Sequence, residues 1–261
     1  MLKTFKRVVL GSLSVLGISL VIWILIALNP NWVYAHQTEI EFITVFHDEE
    51  LQEGTEQVLY SAIDLIKESA LYHKDITIDL CLNDNSFYPK INPLVRLATA
   101  YAMLDKTVLR DCSPNFSANR IETKWAVNNH EKRKFDLTWL LAHEFTHNLQ
   151  YDYDTYYMIN STLGKINWRL EGHAEYISRA YKNDGLLAEK IDYYLHEKEK
   201  EYSGLPVVKL ENGTLQVLSY LKYATMIQYM MEVEKFSFQQ IIDDNREESD
   251  VYTAMLAWYK E

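Results

Sequence analysis

Hydrophobic and polar residues follow different rhythms in different parts of this chain. Val8 to Leu28 is a run of 21 residues without a charge. As a helix rising about 1.5 Å per residue it spans roughly 32 Å, enough to cross the hydrocarbon core of a bilayer. Ser12, Ser14 and Ser19 fit in such a span, because a helical hydroxyl can bond back to its own backbone. Beyond it, Ile40 to Phe46 reads as a strand. From Leu51 to Tyr72 apolar residues recur at helical spacing (Val58, Leu59, Ala62, Ile63, Leu65, Ile66), which predicts a long amphipathic helix. Ile76 to Leu82 alternates and is rich in β-branched residues, the pattern of a strand, and Lys106 to Arg110 and Ile121 to Val127 are further strand candidates. After Asp136 helical patterns dominate to the end. The predicted architecture is α+β, a small β-sheet N-terminal half packed on a mainly helical half, preceded by one N-terminal transmembrane helix.

Charge orients the first element. Lys3, Lys6 and Arg7 precede the apolar run, which keeps the N-terminus cytoplasmic and sends the rest outward. Trp23, Trp32 and Tyr34 suit the far membrane interface. Residues 1–35 are therefore expected to form a cytoplasmic stub, a single-pass anchor and a juxtamembrane segment, and residues 36–261 an extracytoplasmic domain. A cleaved signal peptide ending at Val33-Tyr34-Ala35 is the competing reading, with a secreted product if Ala35 is the cleavage site. The run exceeds the 7–15 apolar residues usual for a signal, which favours the anchor.

The whole chain of 261 residues carries 26 basic and 37 acidic side chains, a net charge of −11. All three N-terminal charges are basic, so the 37 acids of residues 36–261 exceed its 23 bases by 14. That balance excludes nucleic acid as a partner, since phosphate neutralisation needs clustered Lys and Arg, and it argues against clinging to anionic lipid. With 8 Gly and 5 Pro the chain lacks the turn residues of an all-β sandwich. Two cysteines exclude an all-cysteine zinc site. Cys81 and Cys112 lie on or beside predicted strands and are expected to pair in an oxidising compartment, or to stay free thiols in a disulfide-poor one. Asn115, Asn160 and Asn212 head glycosylation sequons that matter only where the host glycosylates.

The chemistry is concentrated in Leu140-Leu-Ala-His143-Glu144-Phe-Thr-His147. On a helix, His143 and His147 lie one turn apart on the same face and can grip one Zn²⁺. Glu144, next to the first of them, can take a proton from an attacking water as general base. Asp136 is placed to cap this helix, and Leu137, Leu140, Leu141 and Phe145 supply its buried face. Downstream, Trp168-Arg-Leu-Glu171-Gly-His173-Ala-Glu175-Tyr176 is also helical in pattern. A catalytic zinc takes three protein ligands and leaves a position open, and this segment offers Glu171, His173 and Glu175. His173 is two positions from Glu171, so their directions on a helix diverge by about 200° and both cannot face one ion. If Glu171 takes the metal, Glu175, one turn on, is placed to hydrogen-bond a ligand imidazole.

These two segments resemble the gluzincin metallopeptidases, in which His-Glu-x-x-His is followed downstream by a ligand glutamate. The second is similar to the Trp-Leu-x-Glu-Gly-x-Ala-x-Tyr stretch of zinc aminopeptidases and related membrane-associated peptidases. The resemblance implies a thermolysin-like zincin fold, Glu171 as the third ligand and Glu175 as the acid that holds a ligand imidazole. It covers about Leu137 to Ile177 and extends weakly to Ser219–Met231. There Tyr220-Leu-Lys-Tyr-Ala-Thr-Met-Ile matches a pattern in which Tyr220 stabilises the oxyanion, with Tyr223 the second choice. The sequence departs in two respects. The 23 residues between His147 and Glu171 form a longer gap than in the aminopeptidases, and include Tyr151–Tyr157 as a candidate lid or cleft edge. No Gly-x-Met-Glu-Asn exopeptidase motif is present, so aminopeptidase activity does not follow.

His36, His47, His73, His130 and His196 read as surface or core residues, with His130 or His196 as candidate second electrophiles. The stripe Met226, Ile227, Met230, Met231 reads as core. The expected function is hydrolysis of peptide bonds in a peptide or protein substrate by a membrane-anchored zinc enzyme. The alternatives are a zinc-stabilised, membrane-tethered binding or assembly module without hydrolysis, and a hydrolase of other carbonyl compounds. Retention of Glu144 speaks against the binding module, because a structural zinc site has no use for a base.

Overall fold

In a computed structural model of the chain, the charge-free run is part of one helix, α1 (Leu2–Leu28). The structure describes residues 2–83, 88, 100–110, 112–123, 133–162, 166–179, 186–198, 207–210 and 213–261, with the side chains of 2–10, 27, 133, 162, 179, 198 and 209 outside the description. The expected span over Val8–Leu28 thus lies partly outside the described side chains. Among the described residues no helix is long and apolar enough to cross a membrane. From Leu13 to Leu25 the large apolar side chains of α1 are exposed, apart from the partly covered Trp23.

Packing reaches upstream of residue 36. Tyr34 is buried against Phe46 and Tyr88, donates its hydroxyl to the Leu82 carbonyl at 2.7 Å, and packs in a cluster that also touches Ile26 and Val33. The chain then enters a five-stranded mixed sheet of order β1-β2-β3-β5-β4. Its strands are β1 (His36–Ile40), β2 (Ile43–His47), β3 (Ile78–Cys81), β4 (Ala100–Met103) and β5 (Lys106–Leu109). The single strand expected over Ile40–Phe46 is in fact a hairpin: Glu41 takes a left-handed φ of 52° and reverses the chain, so that Ile40 pairs with Ile43. The polar residues His36 to Glu39 concealed its first strand. β2, β3 and β5 run parallel, while β4 returns antiparallel to β5 and ends the sheet.

The helix expected over Leu51–Tyr72 is shorter, α2 (Thr55–Lys67). It cannot start earlier because Gly54 adopts φ 85° where its α-carbon faces the Phe116 carbonyl. Its buried face is Val58, Leu59, Ala62, Ile63, Leu65 and Ile66, the apolar set read from the sequence. A second sheet joins β6 (Cys112–Asn115), β7 (Arg120–Thr123) and β8 (Arg133–Asp136) as an antiparallel meander. The strand expected over Ile121–Val127 is β7 in its first residues, and positions 124–127 lie outside the described residues.

The helical half comprises α3 (Leu137–Tyr153), α4 (Thr155–Thr162), α5 (Trp168–Arg179), α6 (Leu187–Lys198), α7 (Leu218–Glu232), α8 (Phe238–Asp243) and α9 (Glu248–Tyr259). A small hairpin, β9 (Val207–Lys209) with β10 (Leu215–Val217), leads directly into α7. One core joins the sheet, α2 and α3, through Val45, Ile63, Ile78, Leu137, Leu141 and Phe145. A second lies between α5, α6, α7 and α9, and holds Met226, Ile227 and Met230 as the sequence pattern suggested. Tyr151–Tyr157 forms the last turn of α3 and the start of α4, with Asp154 accepting from the Tyr157 N–H. It is helical, not an irregular loop.

The expected disulfide is absent: Cys81 and Cys112 both remain thiols. They are buried in different apolar clusters, Cys81 with Tyr34, Tyr88 and Tyr101, Cys112 with the main core. Burial also pushes the Cys81 thiol well above its usual range, which removes its reactivity.

Candidate metal centre

The helix that carries His143 and His147 is fixed at its start by side chains. Asp136 caps α3 by accepting from the Trp139 N–H at 3.1 Å. Asn119, at φ 47°, reaches across to bond both Asp136 and the Thr138 backbone. Farther along, the buried Asn148 donates to the Leu104 and Lys106 carbonyls and accepts from the Thr107 hydroxyl. These bonds lock α3 to the β4–β5 hairpin. The apolar face predicted for the helix is buried at Leu137, Leu141 and Phe145, while Leu140 is partly covered.

α5 meets this helix and brings the third group. Nε2 of His143 and Nε2 of His147 lie 3.1 Å apart, and Oε2 of Glu171 is 3.3 Å from the first and 3.6 Å from the second. Among the described residues these three form the one cluster of metal-ligating type that comes this close. An ion bonded tetrahedrally at about 2.0–2.1 Å holds neighbouring ligand atoms about 3.3–3.4 Å apart, so the observed triangle has the size that zinc requires.

The hydrogen bonds on the far sides of the rings lead to the same conclusion. His143 Nδ1 faces the Glu175 carboxylate at 3.2 Å, and His147 Nδ1 faces the Gln150 side-chain oxygen at 2.8 Å. Both partners can only accept, so both rings are protonated at Nδ1 and present their Nε2 lone pairs to each other. Two lone pairs 3.1 Å apart repel unless a cation stands with them. Without metal, a proton fills that role: burial would lower the His143 pKa, but hydrogen bonds and charge from Glu171 and Glu175 outweigh it and raise it to about 10. Glu171 responds in the opposite sense. Burial favours its neutral form, yet His147 and His143 hold its carboxyl well below the usual carboxylate range.

Glu144 is buried beside the triangle. Desolvation raises its carboxyl above the ordinary value, partly countered by His143 and His147 and by a hydrogen bond from the Ala102 N–H of β4. Tyr220 also arrives at the site: its ring stacks on His143 with centroids 5.7 Å apart and planes inclined by 6°, and its hydroxyl faces the Glu171 carboxylate. Burial and the carboxylates of Glu171, Glu144 and Glu175 keep the phenol protonated far above neutrality. Tyr223 faces Glu248 instead.

The remaining candidates separate cleanly. His173 turns away from the triangle, buried against Phe238 with ring centroids 4.5 Å apart, and burial beside His147 lowers its pKa to about 3. Glu175 touches His143 and not the ion position. His196 is exposed next to Glu197 on α6, and His130 lies outside the described residues. Reading the sequence missed Gln150, Gln216 and Asn148. Gln216 on β10 donates to Glu175 at 2.6 Å and steadies the carboxylate that orients His143. Gln150 carried a legible signal, since it lies one turn beyond His147. Gln216 carried none, because nothing in the sequence joins it to Glu175, 41 positions away.

The sequence model of the peptidase M9 family, described as collagenase, matches residues 114–261. This stretch takes in α3, α5 and α7, and with them every residue of the triangle. No curated protein and no solved structure matches the chain.

Proposed function

Because this chain belongs to the M9 collagenase family of zinc metallopeptidases, we propose that it hydrolyses peptide bonds as a gluzincin, with zinc held by His143, His147 and Glu171. The observation that carries the ligand assignment is the Nε2–Nε2–Oε2 triangle with an acceptor behind each imidazole. Zinc bound there supplies a water of lowered pKa and a Lewis acid for the scissile carbonyl.

The protein's own groups do the rest. Glu144 takes the proton of the attacking water and passes it to the leaving amine. Its burial raises its basicity, which the nearby Ala102 N–H tempers. Glu175 holds the His143 ring in the Nδ1–H form. Tyr220 keeps its proton at neutral pH and donates it in a hydrogen bond to the oxyanion that develops on the carbonyl. The thermolysin-like arrangement belongs to this reading, with the third ligand on a separate helix from the His pair.

The N-terminal helix belongs to the same reading as a single-pass anchor with the catalytic domain outside the cytoplasm, supported by Lys3, Lys6 and Arg7 before the span and by the exposed apolar side chains of α1. The test is to measure metal content of the full chain and its digestion of a peptide library and of native and denatured collagen, with and without chelator. Cleavage that chelator stops and zinc restores supports the peptidase. Tightly held zinc with every peptide left intact favours a binding module in its place.

A further inference from the structure

Gln150 is buried and has three polar neighbours, the buried Leu170 carbonyl and His173 and the partly buried His147, and they decide which way its amide points. Its side-chain nitrogen is 3.1 Å from the Leu170 carbonyl oxygen and 3.1 Å from Nδ1 of His173, and its oxygen is 2.8 Å from Nδ1 of His147. A carbonyl oxygen can only accept, so the NH₂ group must face Leu170. Its second hydrogen then points at His173 Nδ1, which must carry a lone pair, and the His173 proton sits on Nε2. The amide oxygen is left for His147, whose Nδ1 must donate. A flipped amide opposes two oxygens at Leu170.

We propose that Gln150 and His173 form a buried relay that holds the His147 imidazole in its Nδ1–H form and so aims its Nε2 lone pair at the metal. His173 is thereby a positioning residue and not a ligand: it accepts the second amide hydrogen and keeps the oxygen of Gln150 turned toward His147. The inference rests on the reading of the triangle as a zinc centre. It also explains why a histidine occupies a buried position between Gln150 and Phe238, where a plain apolar side chain would pack as well.

The relay makes a specific prediction, because a carboxylate at position 150 accepts from His147 whichever way it turns, at the cost of an oxygen set against the Leu170 carbonyl. Zinc affinity is to be measured on the full chain by chelator competition, with unfolding curves of each metal-free variant to confirm folding. Gln150→Leu weakens zinc binding by about 10–100-fold, the usual cost of losing the group behind a ligand histidine. His173→Phe weakens it by a smaller factor. Gln150→Glu, which keeps the acceptor behind His147 but opposes the Leu170 carbonyl, regains part of the binding that Gln150→Leu loses, and in that background His173→Phe has no further effect. Wild-type affinity in Gln150→Leu, or an equal loss from His173→Phe in both backgrounds, overturns the relay.

Should the wild-type chain take up no zinc, the proposed function fails, but the relay is still read in the metal-free protein from histidine ¹⁵N shifts. A His173 held as Nε2–H in the wild type, and mixed between its two forms in Gln150→Leu, supports the inference. The same form of His173 in both proteins overturns it.

Discussion

The α-carbon of Gly172 lies against the carbonyl of Tyr223: a methyl group at position 172 would sit 2.7 Å from that oxygen and 2.8 Å from Cγ1 of Ile227. Glycine inside a helix costs about 0.5–1 kcal/mol relative to alanine, so it stays here for the close approach of α5 to α7 that it permits. Glu171 and Tyr220 are carried by those two helices. The glycine therefore sets the distance between a metal ligand and the phenol beside it. Gly172→Ala should lower stability in denaturant unfolding by about 1–3 kcal/mol, as overpacking does. It should also lower kcat while leaving zinc bound.

Glu144→Gln separates chemistry from stability. Loss of a general base should reduce kcat by about 10²–10⁴-fold with zinc retained, measured by peptide turnover and metal analysis. The folded-state carboxyl is raised by burial above its unfolded value, so its contribution to stability is present at acid pH and is lost as pH rises through the raised pKa. The amide stays neutral throughout. In thermal unfolding at pH 7, metal-free Glu144→Gln should melt above the metal-free wild type, and the difference should shrink toward pH 4.

Zinc uptake should release a proton. With the His143 pKa raised to about 10 by Glu171 and Glu175 against the opposing effect of burial, the metal-free site holds that proton across neutral pH. Its contribution to stability is full below the ordinary histidine value of about 6.5 and is lost as pH rises toward 10. Calorimetric titration with zinc at pH 7.5, in two buffers of different ionisation enthalpy, should report close to one proton released per ion. Equal heats in the two buffers would contradict the protonated His143.

Glu171→Ala should strip the centre of its third ligand. Stoichiometric zinc in the wild type and largely metal-free protein in the variant, each measured after dialysis against a weak chelator, is the expected result. Unchanged zinc content would move the third ligand elsewhere.

Tyr220→Phe keeps the ring that stacks on His143 and deletes the donor alone. If the phenol meets the oxyanion, kcat should drop by about 10²-fold with KM little changed. Tyr223→Phe, whose hydroxyl faces Glu248, should leave both near wild type.

The sequence by itself determined what is local. His143, Glu144 and His147 were legible because one turn of helix fixes their mutual geometry, and Asp136 was legible as the cap for the same reason. The spacing of four put Glu171 and Glu175 on one helix face, and the resemblance to the gluzincins gave them distinct roles. The apolar stripe of α2 was readable to the residue, though its start depended on the turn at Gly54 and its contact with Phe116. Tertiary structure decided whatever rests on residues far apart in the chain. The approach of α5 to α3 sets Glu171, and not His173, beside both imidazoles, and the approach of α7 stacks the Tyr220 ring on His143. The short strands β4, β6, β8, β9 and β10 were missed because three or four residues are too few to show a period, and their pairing partners define them. Cys81 and Cys112 seemed suited to each other by elimination, yet they lie on two different sheets and are buried in separate cores. A sequence specifies its residue types and their periodicity along one element. Which hydrogen-bond partner stands behind each histidine is settled only when helices pack, because direction and distance between elements are properties of the packed core.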